Sequence, residues 1–377
     1  MTIARLQYRL KDIESVDDVL EVHSGMNASD KQLSSGVEKR IWIYGAGQLG
    51  RSLCKIARTN GVEVVGFIDR NPALAGTTIS GLPVYEAISP PNGFVVVAMY
   101  NLGTNLARIR EWTYGKSMSY IDFLMRIGGT ALPFWCLQAP TTNLTAEDFQ
   151  QIRDVEGRLS PDDRKEFARQ LATRFLIGVE DPFPATCSPE HEYLAGAQSR
   201  FKAREKLLDI GAFDGDTAER FLDASKDVNS EVVAVEPDSL NYQRLIHRFA
   251  ENPRVRTIHA IVGEAEGFGL FHSSGTVESR EIYTGGVRVS RISVDQIILA
   301  EQEVTRIKVD VEGAEQSVLS GAKHTIAASE ASWAISSYHK PQDLWRLPAF
   351  FASGNYSVEV HSHAQRPWDT VLYFNPV

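Results

Sequence analysis

Cysteine is scarce in this chain: Cys54, Cys136 and Cys187 are the whole complement, odd in number, far apart and in no CxxC pair. That excludes a disulfide framework and a zinc knuckle and points to a reducing compartment. A basic surplus is also missing, since 39 Lys and Arg against 48 Asp and Glu leave a net charge of −9. Binding nucleic acid requires phosphates to be neutralised, so no nucleic-acid partner is expected. No apolar run approaches the ~18 residues of a membrane span. The first residues, MTIARLQYRLKDIESVDDVLEV, mix charges throughout and lack the apolar stretch of a signal peptide. A cytoplasmic protein with no membrane span is the expectation.

What is present is ordinary for a soluble globular protein, with 43% apolar and 23% charged residues. A length of 377 residues is long for one core and suits two domains. Residues 1–37 read as a polar lead-in ending near Ser34-Ser35-Gly36. RIWIYGAGQLGRSLCKIARTNGVEVVGFIDRNP then gives strand, Gly-rich turn, helix and strand, one βαβ unit. FVVVAMYN (94–101) reads as a further buried strand and Tyr120–Leu124 as a last short one, so the first domain spans 38–135. Residues 136–200 form a helical connector. Within it Ser160, Pro161, Asp162 and Asp163 make a helix start, and Phe167, Leu171 and Phe175 share one face. Alternation resumes in the second domain, 201–377. Strands are expected near 206–210, 231–236, 255–262, 304–310 and 332–338, interrupted by a turn-rich excursion over 263–293. Pro341 opens a short helical stretch that breaks again at Pro348. Two final strands suit an antiparallel pair closing the sheet.

The second domain carries the most informative segments: LLDIGAFDGDT (207–217), VVAVEPD (232–238) and IKVDVEGAE (307–315). Each is a strand running into a polar turn, and in open α/β sheets ligands bind at the carboxyl ends of the strands. Gly211 and Gly215 let backbone approach a ligand, with Ala212 and Phe213 between them, and Thr217 begins the next helix. Glu236, followed by Pro237, closes the second strand where an acid accepts hydrogen bonds from ribose hydroxyls. Together they read as a pocket for an adenosine-containing cofactor. Alternation places Lys308 and Asp310 on one face, so an interaction between them is expected, with Lys308 holding Asp310. His339 stands at another strand end, either as a general base or as a helix-start residue beside Lys340 and Pro341. His361 and His363 alternate along the last strand pair, yet no metal-ligand spacing is matched and no metal is expected.

These segments resemble the FkbM family of S-adenosylmethionine-dependent methyltransferases. The family's DxGAxxGDT-like first motif, EPD second motif and KxDxEGAE element are matched by Asp209–Thr217, Glu236–Asp238 and Lys308–Glu315. The resemblance runs over about residues 160–377 and takes in RISVDQI, Gly321-Ala322, Tyr338-His339-Lys340 and the closing DTVLYF. Phe213-Asp214 departs from the commoner pattern, in a turn where backbone does most of the binding. The resemblance implies a seven-stranded sheet with its last strand antiparallel and S-adenosyl-L-methionine as cofactor. It puts Asp209 and Gly211 at the methionine end, Glu236 on the ribose and Ala260–Gly263 on the adenine edge, with Glu312 beside the cofactor. It also implies a small-molecule or glycan acceptor, methylated on a hydroxyl. Asp310 is the first choice for orienting or deprotonating that acceptor, with His339 as alternate base.

In the first domain Gly45-Ala-Gly47-Gln48-Leu49-Gly50 obeys GxGxxG between a strand and a helix, and Asp69 ends the following strand. This fits pyrophosphate on the turn and ribose on Asp69. The stretch also resembles the nucleotide-sugar-binding domain that precedes the catalytic part of certain bacterial sugar acetyltransferases. A nucleotide sugar, an NAD molecule and a ligand-free scaffold all remain open there. The chain is expected to be α/β, with two Rossmann-like parallel-sheet domains. Its leading function is O-methylation of a sugar, nucleotide sugar, glycan or related metabolite. The alternatives are an NAD-dependent oxidoreductase and a non-catalytic nucleotide-binding protein.

Overall fold

In a computed structural model the described residues are 13–27, 38–99, 106–127, 144–175, 186–195, 201–225, 227, 229–272, 275, 280–282, 285–363 and 369–377. Cys136, Tyr100, Asn101 and parts of the 136–200 and 263–293 segments lie outside them. The chain divides into two compact units, residues 1–142 with 172–183, and residues 143–171 with 184–377.

The first unit is built on six strands: β1 (Arg40–Tyr44), β2 (Glu63–Asp69), β3 (Thr78–Ile79), β4 (Leu82–Glu86), β5 (Phe94–Val97) and β6 (Ser117–Ser119). Their order is β3-β4-β2-β1-β5-β6, and every pairing is parallel except β3 with β4. RIWIY and FVVV are rich in the branched and aromatic side chains that fit a covered sheet. Helix α1 (Gln48–Thr59) follows β1 and buries Leu49, Leu53, Cys54 and Ala57 against Ile41, Ile43 and Phe67. Tyr120–Leu124 is not a strand. The preceding Ser117–Ser119 pairs with β5, and Tyr120–Arg126 is a helix that buries Tyr120, Phe123 and Leu124. Spacings of three and four residues put those side chains on one helical face.

The second unit opens with helix α2 (Ala146–Arg158) and continues in α3 (Pro161–Arg174), which starts as expected: the Asp163 amide donates to Ser160 Oγ over 3.2 Å. Its sheet contains β7 (Lys206–Ile210), β8 (Glu231–Val235), β9 (Val255–Ile258), β14 (Arg306–Val309), β15 (Ser332–Ser336), β16 (Tyr356–Ser362) and β17 (Thr370–Pro376). The order is β16-β17-β15-β14-β7-β8-β9, with β17 antiparallel to both neighbours and the other pairings parallel. The final pair expected from sequence is therefore present, and β17 is inserted between β16 and β15. The 263–293 excursion is more than turns. β11 (Gly267–His272), β12 (Arg280–Ile282) and β13 (Val287–Ile292) form a second, four-stranded sheet with β10 (Ile261–Val262). The expected strand 255–262 is accordingly two, β9 and β10, divided at His259-Ala260. Among the described residues no helix is long and apolar enough to cross a membrane.

Both sheets reverse direction at their glycine turns. β1 lies between β2 and β5, and β7 between β8 and β14. At such a switch point the helices on either side leave in opposite directions and open a crevice at the strand ends.

Candidate active site

The crevice of the larger sheet is a cleft lined by Gly211, Phe213, Glu236, Ala260, Asp310 and Glu312 among others. The turn after β7 forms one wall. Gly211 has φ +79°, and a Cβ there would stand 1.7 Å from the Asp310 carbonyl oxygen, so no other residue fits. Phe213 and Glu312, both lining the cleft, also have positive φ (52° each). A bulky residue held in that region stores strain, which the surrounding contacts must offset.

Glu236 fixes the far side of the turn. Its Oε2 accepts from the Phe213 amide at 2.9 Å and its Oε1 from the Asp238 amide at 2.8 Å. Burial pushes the carboxyl up to about 7 against the pull of these two donors. Pro237 and Ala260 line the cleft beside it, as the sequence suggests. Ile261 and Val262, within the stretch expected at the adenine edge, line it too, and Phe271, which sequence reasoning missed, completes an apolar wall. Phe271 belongs to β11, inside the segment read only as turns.

Asp209, Ala212, Gly215 and Thr217 sit behind the wall rather than on it. Asp209 is fully buried, and Lys308 Nζ lies 3.1 Å from its Oδ1. Lys308 also donates to the Gly211 carbonyl at 2.6 Å. The ion pair of Lys308 is thus with Asp209, not with Asp310. β7 and β14 are in register at Asp209 and Lys308, and registered neighbours on parallel strands lie closer than residues i and i+2 along one strand. Gly215 packs its Cα under Leu245 and Phe249.

Asp310 does line the cleft, at the end of β14. Burial would raise its pKa, but Lys308, His339 and a hydrogen bond from Tyr193 hold it below the ordinary carboxylate value. Tyr193 Oη donates to Asp310 Oδ2 at 3.0 Å and lies 3.0 Å from Ser336 Oγ. Nothing in the spacing signals this tyrosine, which is 117 residues away in sequence.

His339 is buried, not at a surface helix start, and is enclosed by three carboxylates. Its Nδ1 is 2.7 Å from Glu315 Oε1, and its Nε2 is 3.5 Å from both Asp310 and Glu312. Burial would lower its pKa, yet Glu315, Asp310 and Glu312 together push it up to about 10. The three carboxylates thus favour the protonated ring. Asp310, Glu315 and His339 also place one ligand-type atom each within 4.8 Å of the others. Within this group Glu315 Oε1 and His339 Nδ1 are hydrogen-bonded, and Glu315 Oε1 further accepts from the Val311 and Gly313 amides, whereas His339 Nε2 and Asp310 Oδ1 stay 3.5 Å apart. His361 and His363 are not part of this cluster. His363 Nε2 meets Tyr373 Oη at 2.9 Å, and His361 meets Cys187 and Glu359.

In the first unit the Gly-rich turn also closes as expected. A Cβ on Gly50 would stand 1.9 Å from the Gly45 carbonyl oxygen, so helix and turn meet only through glycine. Gly47 caps α1 without a side-chain bond, and Gln48 is exposed while Leu49 is buried in the core. Asp69 receives the Ala46 amide on Oδ2 and the Asn71 amide on Oδ1, each at 2.8 Å. Asp69 therefore ties the turn to the end of β2.

This strand order, with its antiparallel β17 and a cleft at the β7–β14 switch point, defines a methyltransferase-type α/β domain. Residues 209–358 match the profile of the methyltransferase FkbM domain. The crystal structure of a methyltransferase FkbM from Methylobacillus flagellatus KT is similar at a TM-score of 0.69 and 20% identity. The match covers 95% of this chain and 98% of that one. Fainter likenesses include Aeropyrum pernix fibrillarin with bound S-adenosyl-L-methionine (TM-score 0.30, 12% identity, 46% and 67% covered). Podospora anserina PaMTH1 with S-adenosylhomocysteine is comparable (TM-score 0.30, 13% identity, 66% and 99% covered). No curated protein is significantly similar in sequence.

Proposed function

We propose that the second unit transfers a methyl group from S-adenosylmethionine to a hydroxyl of a sugar, nucleotide sugar, glycan or related metabolite. The observation that carries this reading is one cleft with Glu236 on one wall and Asp310 on another, both at strand ends. Its residues fit the cofactor. Glu236 suits ribose hydroxyls, and Ala260, Ile261, Val262 and Phe271 offer apolar surface to an adenine ring. Gly211 and Phe213 line the side assigned to the amino-acid end. When bound, the cofactor supplies a methyl group activated by the positive charge on its sulfur.

The remaining work belongs to the chain. A hydroxyl is a poor nucleophile until its proton has an acceptor, and attack requires alignment within a narrow cone. Asp310, ionised and fixed by Tyr193, orients the hydroxyl and takes up its proton. His339 holds Asp310 and Glu312 from behind as a positioning residue. Lys308 and Asp209 keep the glycine turn in place without touching substrate.

The first unit is proposed to bind the nucleotide part of a nucleotide-sugar substrate, supported by the bare helix start at Gly47 and the glycine-only contact of turn and helix. No observation favours NAD chemistry over this.

Calorimetric titration with S-adenosylhomocysteine and, separately, with NAD tests the assignment. Binding of the first that weakens at least tenfold in Glu236→Ala is expected. NAD binding alone, indifferent to Glu236, would sink it and move the chemistry to the first unit. Turnover is then sought with nucleotide sugars as the first acceptors.

A further inference from the structure

Outside the cleft, one nucleophilic side chain stands in a relay that the proposed reaction does not use. Cys187 Sγ lies 3.1 Å from His361 Nδ1, and His361 Nε2 lies 3.0 Å from Glu359 Oε2. Glu359 Oε1 accepts from Asn375 Nδ2 at 3.2 Å, which fixes the carboxylate. The segment is pinned as well: the Cys187 amide donates to the Ser362 carbonyl at 3.1 Å, and the Ser362 amide donates to Thr186 Oγ1 at 2.9 Å. Cys187 is half-buried, whereas Cys54 is enclosed in the core of the first unit. A thiol, an imidazole touching it and a carboxylate orienting the imidazole are the parts of an activated nucleophile.

We propose that Cys187 is a nucleophilic cysteine, activated by His361 and Glu359, whose substrate class is hydroperoxides. The thiol proton passes to His361 Nδ1, and sulfur attacks the terminal peroxide oxygen. An S–O bond forms while the O–O bond breaks. Sulfur is oxidised by two electrons to a sulfenic acid and the peroxide is reduced to an alcohol or water. The leaving oxygen takes the proton from His361, so charge and protons balance.

One observation favours this chemistry over acyl transfer. The Cys187 amide is already committed to Ser362 and does not offer itself to the oxyanion of acyl transfer, whereas the oxygen that leaves a peroxide is neutralised by the proton from His361. Burial would lower the His361 pKa, but hydrogen bonds with Cys187 and Glu359 push it up to about 10. An imidazole made more basic in this way suits the acceptance of the thiol proton.

The test treats the full-length protein with hydrogen peroxide and traps sulfenic acid with dimedone, read peptide by peptide in a mass spectrometer. Cys187 is expected to label at least tenfold faster than Cys54 and at least tenfold faster than the same thiol after unfolding in urea. His361→Gln should remove that advantage, and Glu359→Gln should reduce it. Equal rates in folded and unfolded protein would overturn the proposal without recourse to any variant. So would a rate unchanged in a folded His361→Gln protein.

Discussion

Lys308 sits in a strand where a charge is costly, and its neighbours show why it is kept. It neutralises Asp209, which has no exposed surface, and holds the Gly211 carbonyl that shapes the cleft wall. Removing one member of a buried pair leaves the other charge uncompensated, at a cost of about 3–5 kcal/mol. Lys308→Met should lower stability by that amount in urea titration, and adding Asp209→Leu should recover more than half of it. A single-variant loss below about 1 kcal/mol would show that the pair is not what holds the turn. The sequence marked Lys308 as a costly charge and paired it with Asp310; its nearest acid is Asp209, read there only as a cofactor contact, while its charge still lowers the Asp310 pKa. Alternation along one strand is legible in a sequence, whereas the register between β7 and β14 arises from distant segments. Tyr193 was invisible for the same reason, since its hydroxyl reaches Asp310 only after the chain has folded back.

At the scale of elements, the strands and their polar ends were largely legible, because covered strands need unbroken apolar runs. The 263–293 segment was not. β11 and β13 carry glycine and exposed polar residues on an open sheet, so their composition resembles that of turns. Helix α2 illustrates how such elements are fastened. Thr145 and Asp148 form a capping box, and Asp148 Oδ1 also receives Trp345 Nε1 at 2.8 Å and Arg346 Nη2 at 2.9 Å. Burial would raise the Asp148 pKa, but these donors bring it down to about 2. A depressed carboxyl stabilises the fold above its unfolded value near 3.8 and loses that contribution as pH falls through about 2. Asp148→Asn should therefore cost about 2 kcal/mol at pH 7. The difference from the parent should shrink as the pH falls from 4 to 2 in chemical denaturation. A pH-independent difference would assign the cost to packing instead.

For the molecule as a whole, the two units carry similar glycine turns at similar switch points, and the second presents a cleft lined by Glu236, Asp310 and Glu312. The proposed ligands should leave separate footprints in hydrogen exchange. S-adenosylhomocysteine should slow exchange in peptides covering 209–217, 232–238, 258–262 and 309–314. A nucleoside diphosphate sugar should slow it around 44–51 and 69–71. Protection of the first unit by S-adenosylhomocysteine would contradict the division of labour.

The apolar wall of the cleft comes largely from a side sheet spliced between β9 and β14, while the acids stand on the main sheet. The pocket is thus made of two parts with separate evolutionary freedom. Residues 264–290 supply Phe271 to the wall and meet the Glu236 turn where the Gly275 amide donates to Asp238, so an exchange that keeps this bond leaves the strand ends carrying Glu236 and Asp310 in place. Loop-swap libraries confined to that insert are accordingly a direct route to altering the fit of the cleft while its acids stay in place.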